Sequence, residues 1–125
     1  MILDTNALSA LAGHDRNLVQ LVDNADQAVL PFAAVAEFQY GLLGSTKPEP
    51  GLNLLNGLMQ ILPLLLPDAE TIQHFAVLAH RQKQVGRPVP TNDLWIAALA
   101  HQHALPVLSR DQHFDAIPDI RRIDW

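Results

Sequence analysis

Asp4, Glu37, Asp93 and Asp111 are acids set in apolar or turn-forming frames, where acids are costly. Asp4 ends the run Met1-Ile2-Leu3-Asp4-Thr5-Asn6, and Glu37 interrupts Ala33-Ala34-Val35-Ala36-Glu37-Phe38. Asp93 opens Asp93-Leu94-Trp95-Ile96-Ala97-Ala98-Leu99-Ala100, and Asp111 follows Pro106-Val107-Leu108-Ser109-Arg110. A carboxylate held against apolar core is destabilised unless something positive neutralises it. If several share one pocket they repel, so without a metal at least one pKa must rise. Mg²⁺, or alternatively Mn²⁺, resolves the conflict, because both ions take oxygen ligands and keep several waters. A metal among carboxylates suits phosphodiester hydrolysis.

Each acid also has a structural explanation. Asp4 directly follows an apolar strand, and ligands of open parallel sheets bind beyond strand carboxyl ends, but Asp also caps helices. Asp111 stands in the same relation to Val107–Leu108, where Ser-Arg-Asp-Gln also permits a plain turn, but two strand ends bearing acids are more telling than one. Asp93 sits where the positive end of a helix dipole stabilises any acid. The deeply apolar helix behind it, with Leu94, Ile96, Ala97 and Ala100, places that end over the sheet. Glu37 lies mid-helix among apolar neighbours, with Gly41 one turn on leaving room for a ligand, so function is favoured there.

These positions require strands alternating with helices. Met1–Leu3 reads as a buried strand, followed by a helix to Ala12 that Thr5 or Asn6 can cap and Gly13 stops. A helix over Asp15–Ala25 aligns Leu18, Leu21 and Val22. Ala28–Leu30 is a second strand, and Pro31 suits the first turn of a helix to Gly44 with Val35, Phe38 and Leu42 inward. Ser45–Gly51, with two prolines and a glycine, is the clearest loop, before a helix over Leu52–Ile61. Leu64–Leu66 is a third strand. Asp68 caps a helix ending at Gly86, whose apolar stripe is Ile72, Phe75, Ala76 and Ala79. The Asp93 helix runs to about His103, then come strand Val107–Leu108, a turn with a short helix, and a last strand near Ile120–Ile123. The pattern predicts an α/β fold with a mostly parallel sheet flanked by helices, as one domain over residues 1–125.

Composition narrows the classes. With 125 residues, 49% hydrophobic and 17% charged, the chain can bury a core and is not disordered. It has no cysteine, which removes disulfides, thiolate metal sites and thiol nucleophiles and fits the cytoplasm. The amino terminus lacks a signal-peptide pattern, and the longest apolar run, Ile61–Leu66, is too short to span a bilayer. A net charge of −5 disfavours generic nucleic-acid binding, so an RNA partner would need metal ions and a few local Arg or Lys. Arg81, Arg87 and Arg110 are the candidates.

The histidines carry less. His101 and His103, two apart, do not share a helix face, and His74 and His80, six apart, match poorly. His113 could reach a phosphate but reads first as a surface turn residue, and a zinc site is disfavoured. There is no Gly-rich phosphate loop and no Gly-x-Ser-x-Gly elbow.

Taken together, "MILDTN", "VAEFQYG", "NDLWIAALA", "VLSRDQHF" and "IPDIRRIDW", in this order, resemble the PIN-domain ribonucleases, specifically VapC-type toxins of bacterial toxin–antitoxin pairs. The likeness covers essentially the whole chain. It implies a PIN-like three-layer sandwich and a metal-dependent endoribonuclease whose four acids are Asp4, Glu37, Asp93 and Asp111. Asp4 and Asp93 would be the principal metal ligands; Thr5, Asn6 and Ser109 would be supporting polar residues. It also implies RNA as substrate, products with a 5′-phosphate and a 3′-hydroxyl, a homodimer, and an antitoxin laid across the acidic pocket. One departure is visible: the family often has Ser or Thr before the second acid, where this chain has Leu30-Pro31-Phe32-Ala33-Ala34.

Rival readings make different demands. A catalytically silent PIN-like module binding RNA or protein would have no need of all four acids. A haloacid-dehalogenase-like phosphotransferase needs a second Asp where this chain has Asn6. A purely structural module predicts that amides in place of the acids are neutral or stabilising.

Overall fold

The computed structural model describes residues 1–125. Its elements run β1 (Ile2–Leu3), α1 (Thr5–Ala12), α2 (Arg16–Asp23), β2 (Leu30–Pro31), α3 (Phe32–Leu43), α4 (Glu49–Ile61) and β3 (Leu64–Leu65). They continue with α5 (Ala69–Gln84), α6 (Thr91–His103), β4 (Val107–Leu108), a 3₁₀ turn (Gln112–Ala116) and β5 (Arg122–Ile123).

Every strand pairing is parallel: β1 with β4, β4 with β5, and β2 with β3. A bridge between Ile2 and Val29 joins the two groups, with the Leu3 amide donating to the Val29 carbonyl at 3.1 Å. The spatial order is therefore β3-β2-β1-β4-β5. The chain winds outward from β1 through β3, then returns to build the other half from β4. Such reversals open a crevice beyond the strand ends, here between β1 and β4.

Alternation along the strands separates two cores. Ile2, Val29 and Val107 face one side, with Leu78, Ile96, Leu99 and Phe114. Leu3, Leu30 and Leu108 face the other, with Leu8, Leu18 and Leu55. This period of two, with helices over both faces, makes the three layers. Each fully buried Leu or Ile contributes roughly 1.5–3 kcal/mol of transfer free energy.

Several elements differ from the sequence expectation in informative ways. Asp4, not Thr5 or Asn6, caps α1, because its Oδ1 accepts the Ala7 amide at 3.0 Å. That frees Thr5 and Asn6 for other bonds. Helix α4 begins at Glu49, inside the expected Ser45–Gly51 loop. Pro50 falls in its first turn, where a missing N–H costs nothing. Gly51 packs on α3 so closely that a Cβ there would lie 2.3 Å from Leu42 Cδ2. On α5 the buried residues are Thr71, Leu78 and Gln82, with Phe75 and Ala79 partly covered. Ile72 and Ala76, expected inside, lie exposed. Polar Thr71 and Gln82 take the buried face: Thr71 Oγ1 donates to Gln102 Oε1, and Gln82 Nε2 reaches the Arg87 and Ala116 carbonyls, both at 3.1 Å, while Gln82 Oε1 is buried without a partner. No helix is long and apolar enough to cross a membrane.

Candidate active site at the carboxyl ends of β1 and β4

Asp4 leaves β1 at the crevice, and Ser109, Arg110 and Asp111 leave β4 beside it. Helix α6 delivers Asp93 from its first turn, and α3 delivers Glu37 from its middle. The four acids come from separate stretches of chain and line one pocket with Thr5, Asn6 and Ser9. Glu37, Asp93 and Asp111 also line an adjoining mouth with Thr91, Asn92 and His113.

Asp4 is only 3% exposed. Its Oδ1 caps α1, and its Oδ2 accepts a short hydrogen bond from the Ser109 hydroxyl. Ser109 Oγ in turn accepts from Asn6 Nδ2 at 3.3 Å and from the Asp111 amide at 2.8 Å. Asn6 closes the loop by accepting the Arg110 amide at 3.0 Å on Oδ1. The ends of β1 and β4 are thereby stitched together through Asn6 and Ser109. Arg122 reinforces the seam: it donates to the Ser109 carbonyl at 2.9 Å while both its other nitrogens engage Asp115.

Burial pushes the Asp4 carboxyl up to about 6, with the Asp93 charge adding to the rise and the Ser109 and Ala7 hydrogen bonds opposing it. Asp93, half-buried, is raised by burial and then by repulsion from Asp111 and Glu37; its bond to His113 works the other way. The crevice is therefore short of positive charge, which is the condition that a bound cation relieves.

Glu37 departs from the sequence argument. It is exposed, so the cost of burial does not explain it. Its Oε2 is gripped by Thr5 Oγ1 at 3.0 Å and Asn92 Nδ2 at 3.3 Å. These two supply hydrogen bonds in a chain that has no Ser or Thr just before the acid. Asn92 was visible in the sequence only as the neighbour of Asp93.

His113 also has a larger place than a surface turn suggests. The Asp111 carboxylate caps the 3₁₀ turn by accepting the His113 amide at 2.9 Å, and the half-exposed ring lies beside the two acids. Its Nδ1 lies 3.3 Å from Asp93 Oδ2 and 3.1 Å from Asp111 Oδ1. One ligand atom from each of the three lies within 4.8 Å of the others, close enough to share one ion. Hard carboxylate oxygens with one imidazole suit Mg²⁺ or, better, Mn²⁺.

None of the three expected arginines lines the pocket. The Arg110 guanidinium stacks 4.4 Å over the Trp125 ring and bonds the Trp125 carbonyl and Asp15. Arg81 pairs with Asp119 at 3.9 Å. The histidines reasoned about along single helices meet between helices instead: His74 Nδ1 and His101 Nδ1 lie 2.7 Å apart where α5 packs on α6.

Comparison with known proteins agrees with this geometry. The chain matches the PIN-domain family over residues 1–120. It is 30% identical to ribonuclease VapC1 of Haemophilus influenzae over 130 aligned residues, covering 99% of this chain and 96% of that protein. The fold superposes on DNA-bound VapBC from Salmonella typhimurium with a TM-score of 0.92 at 26% identity, covering 99% and 96% of the two chains. VapBC-5 of Mycobacterium tuberculosis, a member of the VapBC family of toxin–antitoxin systems, matches at a TM-score of 0.79 and 28% identity, with 99% and 97% covered. An acidic crevice at the switch point of this sheet, in a chain with these relatives, belongs to a PIN domain of the VapC type.

Proposed function

We propose that this chain, as a single PIN domain, is a metal-dependent endoribonuclease and the toxin of a toxin–antitoxin pair. The observation that carries the reading is the convergence of Asp4, Glu37, Asp93 and Asp111 on one crevice of a PIN fold. Asp4 and Asp93 would hold the ion, with Asp111 and His113 completing its surroundings. Mg²⁺ is the expected ion and Mn²⁺ the alternative that His113 favours. When bound, such an ion polarises the phosphoryl oxygen and lowers the pKa of a water.

The residues themselves do the positioning. Ser109 and Asn6 fix the Asp4 carboxylate, and Thr5 and Asn92 hold Glu37 at the open side of the pocket. Glu37 or Asp111 would orient the incoming water for in-line attack on phosphorus. The bond from phosphorus to the 3′-oxygen breaks, leaving a 5′-phosphate and a 3′-hydroxyl.

The partners follow from charge and exposure. An antitoxin segment carrying Arg or Lys would neutralise the acids and block the crevice. A homodimer would cover Ile61, Leu64, Leu66 and Ile72, which stand exposed on one stretch of chain at the β3 edge. Cellular RNA as substrate makes the cytoplasm the working compartment.

The test is digestion of total RNA by antitoxin-free protein with Mg²⁺, Mn²⁺ or EDTA, beside Asp4→Asn. Metal-dependent cutting lost in the variant is expected. Equal cutting by the variant sinks the metal-site assignment, and equal activity of free toxin and complex sinks the antitoxin's inhibitory role.

A further inference from the structure

Beside the acidic pocket a second groove runs between α1 and α3. It shares Thr5, Ser9 and Glu37 with the pocket and continues over Phe38, Tyr40 and Gly41. We propose that this groove is a subsite for one unpaired base of the RNA strand, with the Tyr40 ring as its stacking platform. The proposal rests on the ribonuclease reading and deepens it.

Three observations lead there. Tyr40 is the chain's only tyrosine and is 80% exposed, more than any other large hydrophobic residue. It lies three residues beyond Glu37, on the same face of α3 and about one turn, ~5 Å, further along the axis. Gly41 leaves the groove open, since a Cβ there would meet no atom within 4 Å. Helix α3 therefore presents, in order, an acid at the reaction centre, an aromatic ring and an empty space.

Charge makes the case stronger. The chain carries −5, and no Lys or Arg lines either the acidic pocket or the groove. Within these surfaces no Lys or Arg cation is available to pair with a phosphate. Base–aromatic stacking supplies a grip beside that of an ion on the phosphate; it needs no positive charge, and every base offers a face for it. A platform next to the scissile phosphate sets where the strand lies, so its loss should weaken binding more than turnover.

The experiment uses the full-length protein and a short RNA that wild type cuts, with Tyr40→Ala, Tyr40→Phe and Gly41→Leu. Tyr40→Ala should raise KM by about 5- to 150-fold, the range of one lost stacking contact, with kcat little changed. Tyr40→Phe should behave as wild type. Gly41→Leu, which fills open space and favours the helix, should raise KM as well. Replacing the nucleotides flanking the cut one at a time by abasic residues should find one position that raises KM for wild type and not for Tyr40→Ala. Circular dichroism and melting temperature check that each variant folds. Wild type that cuts no RNA overturns the ribonuclease reading and the subsite with it. Wild type that cuts while Tyr40→Ala matches it on intact and abasic RNA overturns the subsite alone. The same holds if Tyr40→Ala keeps its KM but loses dimerisation or antitoxin binding, which would make this surface a protein interface.

Discussion

Asp4, Asp15 and Asp68 do the same local work: each accepts amide hydrogens at the start of a helix, α1, α2 and α5. Their ionisation differs. The Thr71 amide, then Gln102, hold Asp68 below the usual carboxylate range, and the Leu18 amide does most of the same for Asp15. Asp4 goes up to about 6, because it is buried and shares the crevice with Asp93. Capping alone lowers an acid's pKa; burial among other acids reverses the sign. The reversal marks the site, since a chain that needed only a helix cap could place it in solvent, as at Asp68.

Substitutions should separate the two kinds of aspartate most widely in activity. Asp93→Asn should lower RNA cleavage by more than ~100-fold, since loss of a supporting residue alone typically costs 10–100-fold in metal affinity or activity. Asp68→Ala should leave cleavage nearly unchanged and lower the melting temperature. A matched pair of cleavage assays and thermal melts checks both, and a loss of activity in Asp68→Ala with the fold intact would break the comparison.

Ser109→Ala should come next. It removes the donor to Asp4 and the acceptor for Asn6 and the Asp111 amide. Metal affinity measured by calorimetry should fall by about 10–100-fold, with a stability loss of about 1–3 kcal/mol from partners left unpaired.

The pH dependence should follow the signs. Asp4 has a folded pKa of about 6 against an ordinary 3.8, so its ionisation favours the unfolded chain. Metal-free stability on its account should decline as pH rises from about 4 to about 6, by about 1–3 kcal/mol, and then level off. Asp68, held low, contributes stability that is present at neutral pH and lost only in acid, below the usual carboxylate range. Thermal melts at pH 7 should show Mg²⁺ or Mn²⁺ raising the melting temperature of wild type. Asp93→Asn should melt at or above metal-free wild type and lose the metal response. The absence of any metal effect on wild type would remove the charge argument.

The smallest effect should come from His113→Ala, with a greater loss of Mn²⁺ affinity than of Mg²⁺ affinity. An imidazole matters more to Mn²⁺ than to Mg²⁺, and equal losses would place His113 outside the ion's surroundings.

Much of the fold was legible because it rests on local pattern. Apolar doublets such as Ile2–Leu3 and Val107–Leu108 have no other economical place than a buried parallel strand, and Asp68 with Thr71 forms the cap expected of it. The α5 stripe differs from the apolar pattern because Thr71 and Gln82 Nε2 bond residues outside their own helix turn, and Ile72 lies at the surface. Among the candidate site residues, Asp4 and Asp93 are legible from the cost of setting acids against core, since both are at least half-buried. Glu37 is exposed, so burial does not single it out; its grip by Thr5 and Asn92 spans 32 and 55 residues of chain.

The amino-acid sequence by itself determined the alternation of strands and helices, the acids at the ends of apolar segments, and the absence of thiol chemistry. These depend on side-chain polarity and spacing over a few residues. Only the tertiary structure decided which carboxylates share a field, why Asp4 rises while Asp68 falls, and that His113 turns toward Asp93 and Asp111 while Arg110 turns away to Trp125. Electrostatic coupling falls with distance through space, and the distances that matter here join residues up to 105 positions apart.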